Sequence, residues 1–219
     1  MKKNKNQIYE ELRFDIMNLK LIPGKAISEI EISNIYDISR TPVREILKKL
    51  SEENLIEIYP QIGSFISKID LKMVDDALFL RKLCEKKIIL DSIGNKSKDT
   101  LLTELKRNIA FQEINYNYNG DSFEFFKLDN EFHFIMFKHN NRENIWKNIC
   151  KFTTHYDRLR LIDAVEKTNQ EKIIEEHKLI VDIIENSRIE LVEDTVNQHL
   201  EKYKNLLEYF ITKYPNYFK

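Results

Sequence analysis

Glycine and proline are scarce in this chain, and their placement decides most of what it can fold into. The 219 residues hold four of each, and Pro23, Gly24, Pro42, Pro60 and Gly63 all fall between positions 23 and 63. These two residues punctuate regular structure, glycine by admitting left-handed backbone and proline by fixing φ and removing a donor. Their crowding predicts a turn-rich N-terminal part followed by a long helical one, and it leaves little material for a glycine-rich phosphate loop.

Ile8, Leu12, Ile16 and Leu19 recur at helical spacing until Pro23-Gly24 breaks the pattern. Ser28 with Glu31 has the form of a capping box, and Ile32, Ile35 and Tyr36 give a second, short helix an apolar face. Thr41 as N-cap with Pro42 at the first helical position predicts a third helix, in which Val43, Ile46, Leu47 and Leu50 share one side. The β-prone runs LIEIY and SFIS, joined by PQIG, suit a hairpin. Three helices and a hairpin, with a tight turn between helices two and three, is the layout of a winged helix-turn-helix over residues 1–69. From Leu71 onward the pattern predicts helices at 71–93, 98–117, 121–139, 142–164, 169–187 and 188–213, with Asp121 and Thr168 as capping candidates. The expected fold is mostly α: an N-terminal winged helix-turn-helix followed by an all-helical antiparallel bundle over residues 70–219.

Formal net charge is -1, so no global basic field draws the chain to nucleic acid, and contact must come from local charge. The run ISRTPVREILKKL supplies it. Opposite its apolar side it carries Arg40, Arg44, Lys48 and Lys49. Arginine matches guanine O6 and N7 bidentately, so Arg40 and Arg44 are the expected base readers. Ser39 and Thr41 can donate to phosphate, and Lys48 and Lys49 suit sequence-independent phosphate contact. Glu45 in the same arc counts against a purely DNA-facing surface.

The longer run ISRTPVREILKKLSEENLIEIYPQIGSFIS, with PGKAISEIEIS before it, resembles the DNA-binding domain of the GntR family of bacterial transcription regulators. That resemblance implies DNA-contacting roles for Ser39, Arg40, Thr41 and Arg44, and a wing tip at Gly63. Two positions depart from the family pattern: Asp37 and Asn54 stand where glycine is usual.

In the second half, ionisable residues interrupt apolar stripes. Phe125, Asp129, His133 and Phe137 form one row; His177 is flanked by Ile173, Ile174, Ile180 and Val181; His199 lies among Val192, Val196, Tyr203 and Leu206. Buried unpaired charge is costly, and a shared divalent transition metal, Zn with Ni or Mn as alternatives, explains all of them at once. A hydrogen-bonded core histidine is the competing explanation for each taken alone. His139 and His155 have polar neighbours and are expected at the surface.

This half resembles the FCD ligand-binding domain of the FadR-like branch of the same family. The resemblance implies that Asp129, His133, His177 and His199 hold the metal, that a small organic acid joins it, and that an arginine of the domain's first helix, here Arg81, holds that acid. Arg158 and Arg160 are weaker candidates for the same task. The reading that follows is a homodimeric, ligand-responsive regulator binding double-stranded DNA at a two-fold symmetric operator. A metal-dependent hydrolase using the same aspartate and three histidines is the rival, disfavoured by the lack of an evident additional base. Cys84 and Cys150, without CxxC spacing, are expected as reduced core residues, and no apolar run suits a signal peptide or membrane span, so a cytoplasmic protein is expected.

Overall fold

The computed structural model describes residues 3–219. The element order is α1 (Lys5–Met17), β1 (Ala26–Ile27), α2 (Glu29–Tyr36), α3 (Arg40–Glu52), β2 (Ile56–Tyr59), β3 (Gly63–Ile66), α4 (Leu71–Ile93), α5 (Lys98–Asn117), α6 (Ser122–His139), α7 (Glu143–Phe152), α8 (Thr154–Glu166), α9 (Gln170–Asn186), α10 (Val192–Glu201) and α11 (Leu207–Lys213), with short 3-10 turns at Ile189–Leu191, Lys202–Leu206 and Pro215–Tyr217. Two compact units result. The first takes the chain up to Val74 together with Lys151–Leu159 and Tyr209–Lys219; the second takes Asp75–Cys150 and Arg160–Glu208.

The first unit is a winged helix-turn-helix. The apolar sides of α1 (Ile8, Leu12, Ile16) and α3 (Val43, Ile46, Leu47, Leu50) share one core with Leu55, Ile56 and Ile66. Glu53 locks α1 onto the end of α3, accepting from Tyr9 Oη and from Arg13 Nε at 2.7 Å. Ser28 caps α2 by accepting from the backbone of Ile30 and Glu31. Asp37 ends that helix at φ 49°, the left-handed conformation a short polar side chain tolerates. Asn54 likewise takes φ 57° before the wing.

The structure departs from the sequence expectations at three places in this unit. The cap of α3 is Ser39, two residues before Thr41, so Pro42 stands at the third helical position. It costs nothing there, because the first four N–H groups of a helix lack intrahelical acceptors anyway. The hairpin is joined by a third strand, β1, antiparallel to β3 with Ala26 opposite Phe65. Two residues are too few for a periodicity signal. Thirdly, His155 is buried, not superficial. Its Nδ1 accepts from Asp70 N–H at 3.0 Å and its Nε2 donates to the Asn54 carbonyl at 3.0 Å. Beside it the fully buried Arg158 donates to the Ser67 carbonyl at 2.7 Å and to Ser67 Oγ at 3.0 Å. The polar neighbours that suggested exposure are the means of satisfying a buried ring.

In the second unit α5 packs against α6 and α9, and α9 against α10. Asp121 caps α6, accepting from Phe123 and Glu124 N–H. Thr168 does not cap α9; its hydroxyl donates to Asp163, and Asn169 takes the cap position. The expected helix at 142–164 is two helices, because Thr153 starts a new one with its hydroxyl on Asp157 Oδ2 at 2.8 Å. The expected helix at 188–213 is likewise broken, tightening to 3-10 geometry where Lys202 turns inward to Glu176. Cys84 and Cys150 are free and only half-buried.

Burial, and after it the nearby Arg158 cation, holds the His155 imidazolium pKa down at about 4 from 6.5. The folded state therefore prefers the neutral ring. Its contribution is fully present above pH 6.5 and is lost as pH falls from there towards 4. Lowering the pH from 7 to 4.5 should thus destabilise the wild type by about 2–3 kcal/mol more than a His155→Gln variant, read from urea unfolding midpoints.

Candidate metal centre and nucleic-acid interface

Helical spacing stacks Asp129 and His133 one turn apart on α6, while α9 delivers His177 and α10 delivers His199. All four are buried, and one donor atom from each lies within 4.8 Å of the others. His133 Nε2 is 3.2 Å from His199 Nε2; Asp129 Oδ1 is 3.3 Å from His177 Nε2 and 3.8 Å from His133 Nε2. The second oxygen of Asp129 is held by Arg160 Nη2, whose Nη1 donates to Asn130 Oδ1 at 3.0 Å.

The outer nitrogens are also engaged. His133 Nδ1 lies 2.9 Å from Glu85 Oε2, His177 Nδ1 lies 2.9 Å from Gln112 Oε1, and His199 Nδ1 lies 2.8 Å from Glu176 Oε2. A hydrogen-bonding oxygen at Nδ1 of His177 and His199 calls for a proton on that nitrogen; at His133, whose Nδ1 makes no hydrogen bond, the adjacent Glu85 carboxylate favours the same form by charge alone, so each Nε2 carries a lone pair pointing inward. Three lone pairs and a carboxylate oxygen then face one another in a dry interior, and His177 Nε2 has no hydrogen-bond partner there. Such a cluster of acceptors is unfavourable by itself and favourable around a cation. Metal–nitrogen bonds of about 2.1 Å set neighbouring donors about 3.0–3.4 Å apart, which the 3.2 and 3.3 Å separations match. The residues fit a divalent transition metal.

The electrostatics agree. Burial alone would raise the Asp129 pKa, but Arg160 and then His177 and His133 outweigh it, keeping the carboxyl ionised well below the usual range. Burial lowers the His177 pKa to about 4, and burial with Lys202 depresses that of His199 further from its ordinary value. An ionised carboxylate and neutral imidazoles are the forms that ligate metal.

Of the arginines considered for an acid, Arg81 is buried with its Nε on Glu85 Oε1 at 2.5 Å, and its guanidinium lies 5.5 Å from the Trp146 ring centre. Arg160 touches a candidate ligand directly, and Arg158 belongs to the Ser67 contact described above. Sequence reasoning did not find Glu85, Gln112, Glu176 or Lys202. Glu85 and Gln112 had a signal, as polar positions in the rows Val74, Leu78, Arg81, Glu85, Ile88 and Leu101, Leu105, Asn108, Gln112. Glu176 had none, being one residue from His177 and so on another side of the helix.

In the first unit, Ser39, Arg40, Thr41, Arg44 and Lys48 are exposed along α3. Arg40 shares a cleft with the start of α2 (Ser28–Glu31) and with the wing residues Ile62, Gly63, Ser64 and Phe65. Gly63 has φ 138°, a region that excludes side chains, and this permits the sharp entry into β3. Arg44 Nε donates to both oxygens of Glu29, at 3.1 and 2.9 Å. The Lys49 ammonium lies 3.4 Å from the Tyr9 ring centre, on the α1 side of the helix, and Glu45 pairs with Lys5 at 2.6 Å.

Two family models match the chain: "Bacterial regulatory proteins, gntR family" over residues 4–66 and "FCD domain" over residues 76–202. An HTH-type transcriptional regulator in an unstable DNA locus of Streptomyces ambofaciens is 33% identical over 197 residues, covering 90% of this chain and 82% of that protein. The HTH-type transcriptional repressor RspR of Escherichia coli is 30% identical over 196 residues, covering 90% and 85%. Among solved structures, McbR/YncC of E. coli superposes with a TM-score of 0.74 at 16% identity, covering 95% of this chain and 99% of that one, which is a likeness of fold. A GntR regulator from Rhodococcus gives 0.70 at 19%, covering 90% and 94%.

If the four donors are arranged for a cation and not for stability, His177→Leu should leave the melting temperature of chelator-treated protein unchanged or raised. The same variant should lose the upward shift that added zinc gives the wild type. Paired thermal melts with and without zinc check this.

Proposed function

This chain belongs to the GntR family of bacterial regulatory proteins, as a DNA-binding transcription regulator of the type that carries an FCD domain, and from that premise we propose that a metal-anchored small organic acid controls its grip on DNA. It is a regulator and not an enzyme, in keeping with its relatives. The hydrolase alternative finds no support among them.

In this reading residues 1–69 are the reader and residues 70–219 the effector-binding and dimerising domain. Members of the family bind DNA and typically act as dimers with small-molecule effectors; for this chain we take a homodimer on a two-fold symmetric operator. Arg40 and Arg44 read base edges in the major groove. Ser39, Thr41 and Lys48 meet phosphate, with the Gly63 wing alongside. Lys49 is the weaker phosphate contact, because its ammonium is drawn onto Tyr9.

The observation that carries the control mechanism is the ring of inward-facing acceptors formed by Asp129, His133, His177 and His199. These four would hold a divalent metal, with zinc best suited to three imidazoles and one carboxylate. When bound, the metal supplies a Lewis-acidic point at which a carboxylate can be recognised. Arg160 fixes Asp129 and, with Arg81, lends the surroundings positive charge for the acid. The acid shifts DNA affinity only to the extent that it binds the two conformations of the dimer unequally. The site of action is the cytoplasm, with the chromosome; among the described residues no helix is long and apolar enough to cross a membrane.

Gel-shift titration with the chain's own operator tests the reader. Arg44→Ala should weaken binding by about 10- to 100-fold, the worth of a bidentate base contact, and Lys48→Ala should reduce the salt slope by about one. Unchanged affinity for a folded Arg44→Ala protein would sink the assignment. For the control site, elemental analysis of protein purified without chelator should find about one zinc per chain. A panel of mono-, di- and tricarboxylates should include one that changes operator affinity of the wild type but not of Asp129→Asn.

A further inference from the structure

Each imidazole of the centre is faced from behind by an oxygen from another part of the bundle: Gln112 of α5 hydrogen-bonds His177 and Glu176 of α9 hydrogen-bonds His199, while the Glu85 carboxylate of α4 lies 2.9 Å from His133 Nδ1 as a charge beside it, without a hydrogen bond between them. These side chains are themselves anchored. Arg81 Nε holds the other oxygen of Glu85 at 2.5 Å. Gln112 Nε2 donates to Asn108 Oδ1 at 2.6 Å, and Asn108 Nδ2 donates to the Leu128 carbonyl at 3.1 Å, so the Gln112 amide is oriented with its oxygen towards His177. Lys202 Nζ donates to Glu176 Oε2; it also lies 3.3 Å from His199 Nδ1, but the carboxylate is nearer to that nitrogen.

We propose that Glu85, Gln112 and Glu176 are the positioning residues of the metal centre, holding all three histidines in the Nδ1–H tautomer so that their Nε2 lone pairs converge. The role rests on the metal reading above and adds to it a reason for six side chains, Glu85, Gln112, Glu176, Arg81, Asn108 and Lys202, that supply no metal-ligating atom. An imidazole free to choose protonates either nitrogen, and half of those choices would aim an N–H at the metal. A fixed acceptor at Nδ1 removes the wrong choice and, where it is a carboxylate, raises the basicity of the ligating nitrogen. Neutralising each carboxylate with its own cation, Arg81 for Glu85 and Lys202 for Glu176, keeps that acceptor tolerable in the interior. Gln112 does the same task without charge. Glu85 carries a second consequence: an acid that reached Arg81 would touch the carboxylate that aims His133, linking acid and metal through one side chain.

The test uses the full-length chain, with zinc as the probe and a chromophoric chelator as competitor. Gln112→Leu and Glu176→Leu remove the acceptor and should weaken zinc binding by about 10- to 100-fold, while Glu85→Gln, which keeps an acceptor but loses the charge, should weaken it by about tenfold. Long-range 15N–1H NMR of zinc-free protein supplies a readout that a merely structural role would not move. The wild type should show the Nδ1–H tautomer at His133, His177 and His199, and Gln112→Leu should turn His177 alone into a mixture. Zinc affinities within about twofold of wild type in all three folded variants would overturn the positioning role and leave the metal reading intact. A wild type that does not bind zinc would overturn both. Should the variants fail to fold, the wild-type spectrum decides, since an Nε2–H tautomer at any of the three rings contradicts the proposal.

Discussion

The two oxygens of Asp129 face different ways, and the helical unit is built around that division. One meets the Arg160 guanidinium, the other faces the imidazoles of His177 and His133. A carboxylate buried without a cation would protonate and stop being a ligand. With Arg160 it stays ionised, and everything beyond it must then be compatible with a fixed negative charge among neutral rings. The same solution recurs outward, with Arg81 beside Glu85 and Lys202 beside Glu176. Replacing such pairs by well-packed apolar groups would often be neutral or stabilising, so their presence in a bundle of otherwise ordinary packing points to chemistry rather than to stability.

The fold was largely legible because its signals are local. Ser28, Asp121 and the apolar rows of α1, α3 and α4 act within a few residues of themselves, and the structure places those elements within a residue or two of where the spacing put them. What could not be read depends on partners distant in sequence. The break at Thr153 is a local exception, made by its hydroxyl on Asp157 four residues on, an interruption that apolar periodicity does not register. β1 exists only because β3 offers it an edge. His155 looked superficial because a polar neighbourhood in sequence is indistinguishable from a polar network in space until Asn54, 101 positions away, and Asp70, 85 positions away, come into contact with it.

The same distinction runs through the candidate centre. Asp129, His133, His177 and His199 stood out because each interrupts an apolar stripe, which is a property of its own helix. Their outer partners were harder, since Glu176 reaches His199 across 23 positions and Gln112 reaches His177 across 65. A ligand announces itself by being polar where the pattern says apolar. A residue that aims a ligand often does not.

In the first unit, and on the proposal that Arg44 reads bases, its contact with Glu29 sets a condition on that reading. The pair is largely exposed, so its attraction is modest, and Arg44 leaves it most readily where an acceptor of comparable quality replaces the carboxylate. A guanine edge offers two such acceptors; most other base edges do not, and there Glu29 would remain near the phosphate backbone as an opposing charge. In that arrangement the acidic residue at the start of α2 works as a veto on wrong sequences, so discrimination would come partly from what the protein refuses to leave.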